Sequence, residues 1–171
     1  TTYPAQVRSD IKKYYNKYKN NITIERFEFN WLEKIDNHHL SIRAGLFETM
    51  FGGYGFEYLH LNEFSNIAYG FEIFDVKKRD YDQKFNFLEY ETVTGHLNFY
   101  HYFDPLNMTT HFSWGQYLAG DEGFTLDFSK RFKNGFKLGA YFSLTDVSFD
   151  EYGEGSFDKG IYVSLPINNL F

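Results

Sequence analysis

The sequence predicts an all-β protein, an antiparallel up-and-down transmembrane β-barrel with about eight to ten strands in this chain. Three observations predict it. Apolar and polar residues alternate with period 2 in nine separate stretches, the pattern of strands with one greasy face. Aromatic residues make up 22% of the chain, from 21 Phe, 15 Tyr and 2 Trp. They favour strands and form the girdles of outer-membrane barrels. The links between stretches also alternate, short then long. Nine is an odd count, and single-chain bacterial barrels use an even one. Either the N-terminal segment adds a strand, one stretch is a loop, or the chain is part of a larger barrel.

Residues 1–21 stand apart as a short helical or irregular segment. Val7, Ile11, Tyr14, Tyr15 and Tyr18 recur at three- and four-residue spacing among Lys12, Lys13, Lys17 and Lys19. Ser9-Asp10 is placed to cap a short helix. Such a segment either lies at a membrane or in a lumen, or packs on one end of the domain; the second is the commoner arrangement.

Residues 22–171 carry the strands. Phe27, Phe29 and Trp31 oppose Arg26, Glu28 and Asn30. Leu40, Ile42, Ala44 and Leu46 oppose Ser41, Arg43 and Gly45. Phe56 and Tyr58 oppose Gly55 and Glu57, and Ile67, Tyr69, Phe71 and Ile73 oppose Gly70 and Glu72. A longer stretch sets Val93, Leu97 and Phe99 against Thr94, His96, Asn98 and Tyr100. Phe112 and Trp114 oppose His111, Ser113 and Gly115; Phe124, Leu126 and Phe128 oppose Thr125, Asp127, Ser129 and Arg131. Phe136, Leu138, Ala140, Phe142 and Leu144 oppose Lys137, Gly139, Tyr141 and Ser143. Last, the glycine-rich loop Gly153–Gly160 leads into Ile161, Val163 and Leu165 against Tyr162 and Ser164.

The second face separates a membrane barrel from a soluble one. A water-facing strand face favours Lys, Glu and Thr and has no need of glycine. Here that face is assigned Gly45, Gly55, Gly70, Gly95, Gly115 and Gly139, with isolated charges and Tyr. Small residues with Arg, Glu and Tyr suit the crowded inside of a small barrel, and the bulky, nearly uncharged face suits lipid. The links near 35–39, 62–66, 103–107 and 132–135 are short, and Lys133-Asn134-Gly135 is a hairpin signal. Those near 47–54, 75–88, 118–123 and 146–159 are longer and charged. Short periplasmic turns with long outer loops are the outer-membrane habit.

Several function classes are excluded or weakened by composition. The net charge is −6, with no basic face to meet phosphates, which argues against nucleic acid. Cysteine is absent, so there is no disulfide framework or thiolate metal site. No run of about 18 apolar residues marks a membrane helix. The mean hydropathy of −0.49 fits a soluble protein but also a membrane barrel, where only alternate residues face lipid. The opening Thr1-Thr2-Tyr3-Pro4 has neither region of a signal peptide, which implies a mature chain, a fragment or a cytosolic protein.

Five segments are long and unusual: Ala44 to Glu57, Arg79 to Phe85, Tyr90 to His96, Tyr117 to Asp121, and Gly153 to Ile161. They read AGLFETMFGGYGFE, RDYDQKF, YETVTGH, YLAGD and GEGSFDKGI. These resemble the C-terminal part of the YjbH family of exopolysaccharide biosynthesis proteins, which includes the GfcD-like proteins of group 4 capsule operons. The resemblance spans nearly the whole chain. It implies the C-terminal portion of an outer-membrane β-barrel protein tied to export or assembly of surface polysaccharide. It also implies contact with outer-membrane lipid, lipopolysaccharide, polysaccharide and other export-operon proteins. No catalytic set comes with it.

The residues expected to face lipid are Phe27, Phe29, Trp31, Phe71, Phe99, Trp114, Phe128 and Phe142. Those expected to face the lumen are Arg43, Glu57, Glu72, His96, Asp127, Arg131 and Tyr141. Unpaired buried charge is costly, so the charges should pair with one another before lining any sugar path; Tyr100, Tyr117, Tyr141 and Asn98 would supply platforms and amides for one. The loop charges Asp75, Arg79, Asp80, Asp82, Asp121, Glu122, Asp150, Glu151, Glu154 and Asp158 are expected to be solvated. Carboxylates there could meet a divalent cation or lipopolysaccharide, but no EF-hand spacing is present. No metal site, cofactor or catalytic residue is expected. His96, His111, Ser113 and Asp127 would have to form any triad, and no nucleophile elbow surrounds Ser113. His38-His39 is expected in a solvated turn. Two weaker alternatives are a soluble β-barrel holding a hydrophobic ligand and a barrel hydrolase.

Overall fold

A computed structural model describes residues 13–16, 22–62, 64–147 and 157–166. Alternation at period 2 produces nine strands: β1 (Phe27–Ile35), β2 (His38–Leu46), β3 (Phe51–Leu61), β4 (Ile67–Arg79), β5 (Phe87–Phe103), β6 (Met108–Gln116), β7 (Glu122–Arg131), β8 (Lys137–Thr145) and β9 (Asp158–Ser164). They form one antiparallel meander in which each strand pairs with its neighbours in sequence. The sheet is open: β1 and β9 are its two edges. The barrel expected from the sequence is therefore not closed among the described residues, where the odd count of nine strands is found as read.

Links at one end are shorter on average than at the other, but they do not alternate strictly as the sequence predicts: 47–50 is shorter than 62–66, and 117–121 is as long as 132–136. Residues 36–37, 62–66, 104–107 and 132–136 form the turns at one end, and 47–50, 80–86, 117–121 and 146–157 the links at the other. Asp36 and Asn107 take left-handed backbone in the short turns, where Asp and Asn tolerate positive φ. The long links are shorter than predicted because β3 starts at Phe51 and β4 runs on to Arg79. His38 and His39 fall in β2, not in a turn. His38 Nδ1 lies 2.8 Å from the Tyr58 hydroxyl, and its ring packs edge-on against His60.

Register sorts the side chains onto two faces. Ser41 lies opposite Glu57, Glu57 opposite Glu72, Glu72 opposite His96, and His96 opposite Gly115. That is the polar face. Ile42, Phe56 and Ile73 share the other face, and Gly95, opposite Ile73, lies with them. The assignment of Gly95 to the polar face is thus corrected: strict alternation from Val93 places it on the aromatic side.

Several polar-face glycines sit under rings from the next strand. A Cβ at Gly139 would fall 2.2 Å from Cζ of Tyr162, and one at Gly160 would fall 2.6 Å from Cε1 of Tyr141. Likewise Phe74 lies over Gly55. A ring laid on a neighbouring glycine restores packing that glycine alone cannot give. Gly139→Val should push Tyr162 off the sheet and cost about 1–3 kcal/mol by overpacking. Thermal unfolding should show this loss, and Tyr162→Ala in the same chain should recover part of it.

Burial is concentrated at the long-link end. Tyr14, Met50, Phe51 and Val76 form the core cluster, with Phe47, Phe74, Tyr81, Tyr90 and Leu118 packed against it. Phe74 lies opposite Gly55 and Val76 opposite Gly53, in step with the Glu57–Glu72 pair, so this core stands on the polar face. Residues 13–16 form a helical turn, and Tyr14 is wholly buried in the cluster. Packing on one end of the domain is what the spacing of residues 1–21 favours; Val7, Ile11 and Tyr18 lie outside the described residues.

Candidate functional site

Arg79 organises the long-link end. It is fully buried at the end of β4, whereas the sequence placed it among solvated loop charges. The correction has a physical cause: the two terminal nitrogens of its guanidinium donate to backbone carbonyls from three separate segments. Nη1 donates to Glu25 O at 3.2 Å and Glu48 O at 2.5 Å, and Nη2 donates to Ile24 O at 2.7 Å and Lys84 O at 3.0 Å. The planar fork suits this clamp, since five N–H groups spread from one rigid plane. Tyr14 OH donates to Arg79 O at 2.5 Å, and Gln83 Nε2 donates to Tyr14 O at 3.0 Å. The lead-in to β1, the β2–β3 link, the β4–β5 link and the helical turn are thereby tied together.

The loop carboxylates are largely committed to local structure. Asp82 accepts from the Lys84 amide at 2.9 Å and from Asn86 Nδ2 at 2.8 Å. The bond from the Lys84 amide is the main reason its carboxyl titrates below the usual range. A lowered folded pKa adds stability above the unfolded value, and that stability is lost as pH falls through the folded one. Amide exchange at Lys84, corrected for intrinsic rates, should therefore lose protection between about pH 5 and pH 2. Asp82→Asn should flatten that profile. Asp75 accepts from Tyr54 OH at 2.7 Å, Asp121 is buried, and Asp146 Oδ1 receives the Glu122 amide at 2.8 Å. Asp80 turns the link by accepting the Gln83 amide on its carbonyl, and Asp158 begins β9. Among the described residues, no group of three or more His, Asp or Glu is placed to hold a metal ion. Asp150, Glu151 and Glu154 lie outside the described residues.

The polar face carries a cross-strand network. Arg43 donates to Glu57 Oε1 at 3.0 Å and to Glu28 Oε2 at 2.8 Å. Its guanidinium also stands over the rings of Phe47 and Phe74. Glu28 binds Arg26 as well. Glu72 Oε1 lies 2.9 Å from His96 Nδ1, and the His96 ring meets Tyr117 edge-on at 4.7 Å. The Tyr117 hydroxyl continues to Thr125 at 2.7 Å and on to Ser143 at 2.6 Å. Pairing of charges thus accounts for Arg43, Glu28 and Glu57, the arrangement expected where unpaired charge is costly, and Glu72 shares a hydrogen bond with His96.

Further along the same face, Tyr100 lies opposite His111, His111 opposite Asp127, and Asp127 opposite Tyr141. Tyr100 stacks flat on His111 at 4.2 Å. His111 Nε2 lies 2.9 Å from Asn98 Oδ1, and Tyr162 donates to Asp127 Oδ1 at 2.9 Å. These partners oppose the hydrolase alternative: among the described residues Ser113 is buried and has no hydrogen bond to His96 or His111. Arg131 is opposite Lys137 at the short-turn end.

The other face is bare. Phe27, Phe29, Trp31, Phe71, Phe99, Trp114 and Phe128 are 40–67% exposed. Phe142 is only partly exposed, packed between Phe124 and Phe157. Among the described residues, Tyr14 of the helical turn and the β2–β3 link pack on the polar face, while Phe85 and Phe157 of the links touch Phe27 and Phe142 at the margin of this one.

The profile of the family described as "Exopolysaccharide biosynthesis protein YbjH" matches residues 1–171. The chain belongs to the YjbH family. A YjbH-family relative named "Uncharacterized lipoprotein YjbH", from Escherichia coli (strain K12), is 38% identical over 170 residues. That alignment covers 95% of this chain and 24% of the relative, so the chain spans about a quarter of the relative's length. No solved structure matches. The YjbH-family resemblance read from the five segments is thus borne out, and neither printed name indicates an enzyme.

The sequence missed the carbonyl clamp at Arg79, the ring-over-glycine pairs and the Tyr162–Asp127 bond. A signal existed for one of these. Gly139 and Tyr162, like Gly160 and Tyr141, sit at matching positions of adjacent alternating strands. Pairing those strands in register would have brought each ring to its glycine.

Proposed function

We propose that this chain forms part of the wall of an outer-membrane β-barrel that serves export or assembly of a surface polysaccharide, without catalysing a reaction. One observation carries the membrane part: the middle of the aromatic face is exposed and uncharged, with Glu33, Asp75, Lys77, Glu91, Glu122, Lys130 and Lys159 of that face set toward the strand ends, while the core and the Arg43 network occupy the opposite face. Soluble monomers rarely expose apolar patches beyond a few hundred Å². On the aromatic face of β7, Glu122 and Lys130 bracket Phe124, Leu126 and Phe128. The eight steps from Glu122 to Lys130 span about 27 Å; at a barrel tilt near 40° this projects to about 21 Å, somewhat short of the apolar band of about 25 Å typical of outer-membrane barrels. A soluble barrel around a hydrophobic ligand would instead gather its core on the aromatic face.

Edges β1 and β9 need partners, since exposed edges invite mispairing. In this reading, strands from the rest of the protein close the barrel. The polysaccharide role follows from the family description, and the lipoprotein name of the relative fits an envelope location. Fractionation of the full-length protein tests the reading. It should sediment with outer membranes and migrate faster on gels unheated than boiled. Recovery in the soluble fraction would overturn it.

A further inference from the structure

We infer that the polar face of β5–β9 binds an acidic sugar chain along a strip that runs across the strands. This rests on the polysaccharide reading above and adds a place and a charge class to it. The strip is laid out by register: Tyr100, His111, Asp127 and Tyr141 stand side by side on four strands. Neighbouring strands are about 4.8 Å apart, close to the length of one pyranose unit. All four side chains are partly exposed.

Two features suit sugar. First, the rings of Tyr141 and Tyr162 occupy the space above Gly160 and Gly139, so each ring is held in place over the sheet. Immobilised rings are the platforms on which the C–H faces of a pyranose stack, because the ring face carries negative quadrupole charge. Second, Asp127 is held by Tyr162 OH, which leaves its remaining lone pairs for sugar hydroxyls.

The charge class comes from Arg131 and Lys137. They are directly opposite on this face, beside Tyr162. Like charges in that position destabilise a sheet. Among the described residues neither has a carboxylate in ion-pair range, in contrast to Arg43, which has two. Lys137 Nζ instead sits 5.4 Å from the centre of the Tyr162 ring. Two cations without a carboxylate partner among the described residues, four residues along β7 and β8 from Asp127 and Tyr141, flank the strip on its short-turn side and fit the carboxylate or other anionic substituent of an acidic glycan.

The test uses full-length protein in detergent micelles, with oligogalacturonate as the acidic probe and malto-oligosaccharide of equal length as the neutral one. Calorimetry should show that the acidic probe binds, that binding weakens with salt, and that the neutral probe binds at least tenfold more weakly. R131Q/K137Q should lose on the order of tenfold in affinity, and Y141L should weaken both probes. Heat-dependent gel migration checks that each variant is folded. Unchanged affinity in a folded R131Q/K137Q protein, equal binding of both probes, or no binding of either would overturn the inference. Fractionation reads the membrane assignment separately, so the two can fail independently.

Discussion

Arg79→Ala should cost about 3–5 kcal/mol, the largest loss from any single substitution in the described residues. The side chain is fully buried and donates to four carbonyls. Removing it leaves those carbonyls without donors, and each buried, unpaired polar group costs about 1–3 kcal/mol where water cannot replace the partner. It also opens a cavity between the Ile24–Glu25, Glu48 and Lys84 carbonyls. Arg79→Lys should recover only part of the loss, because one ammonium has three donors and no planar fork. Urea unfolding of the full-length protein in micelles measures both. Limited proteolysis should find the 47–50 and 80–86 links cut first in the alanine variant. A loss below about 1 kcal/mol would show that the clamp is not what holds the long-link end together.

A lysine at Phe71 should destabilise the membrane-inserted protein by about 2–4 kcal/mol, the cost of a cation at mid-bilayer depth. Phe71 is exposed and lies on the aromatic face between Tyr58 and Leu97. Phe128→Lys should cost less. Lys130, two residues on and on the same face, already marks the border of the uncharged band. Reversible unfolding from phospholipid vesicles gives the two values. A gradient between the sites is the signature of depth. Equal, near-zero costs at both, with undiminished stability in buffer without detergent, would remove the lipid contact from the reading.

The faces were largely legible from residue type and period alone. Most strands could be assigned to sides because one side carries mainly aromatic and aliphatic residues at alternate positions. The long strand β5 shows where this breaks. Gly95 was grouped by its chemistry with the other glycines, although its parity with Val93 and Leu97 put it opposite. The clamp was not legible for another reason. Arg79 stands in the run Lys77-Lys78-Arg79-Asp80, which reads as a solvated link. Its partners come from residues 24, 25, 48 and 84, and carbonyls leave no mark in a sequence. Pairing of Arg43 with Glu28 and Glu57 was foreseeable in kind, since isolated charges on a crowded face must find one another. Which carboxylates it takes depended on register.

The meander has a consequence for assembly. Every strand pairs only with its sequence neighbours, so each new pairing closes a loop no longer than one link. Loop closure is then cheap at every step, and low contact order favours fast, stepwise growth. Starting from any hairpin, the sheet can lengthen one strand at a time, and at each stage the template is the strand just added. Growth has no built-in stop within these nine strands. Termination belongs to whatever meets β1 and β9, and an interruption before that meeting would leave a ribbon with two live ends.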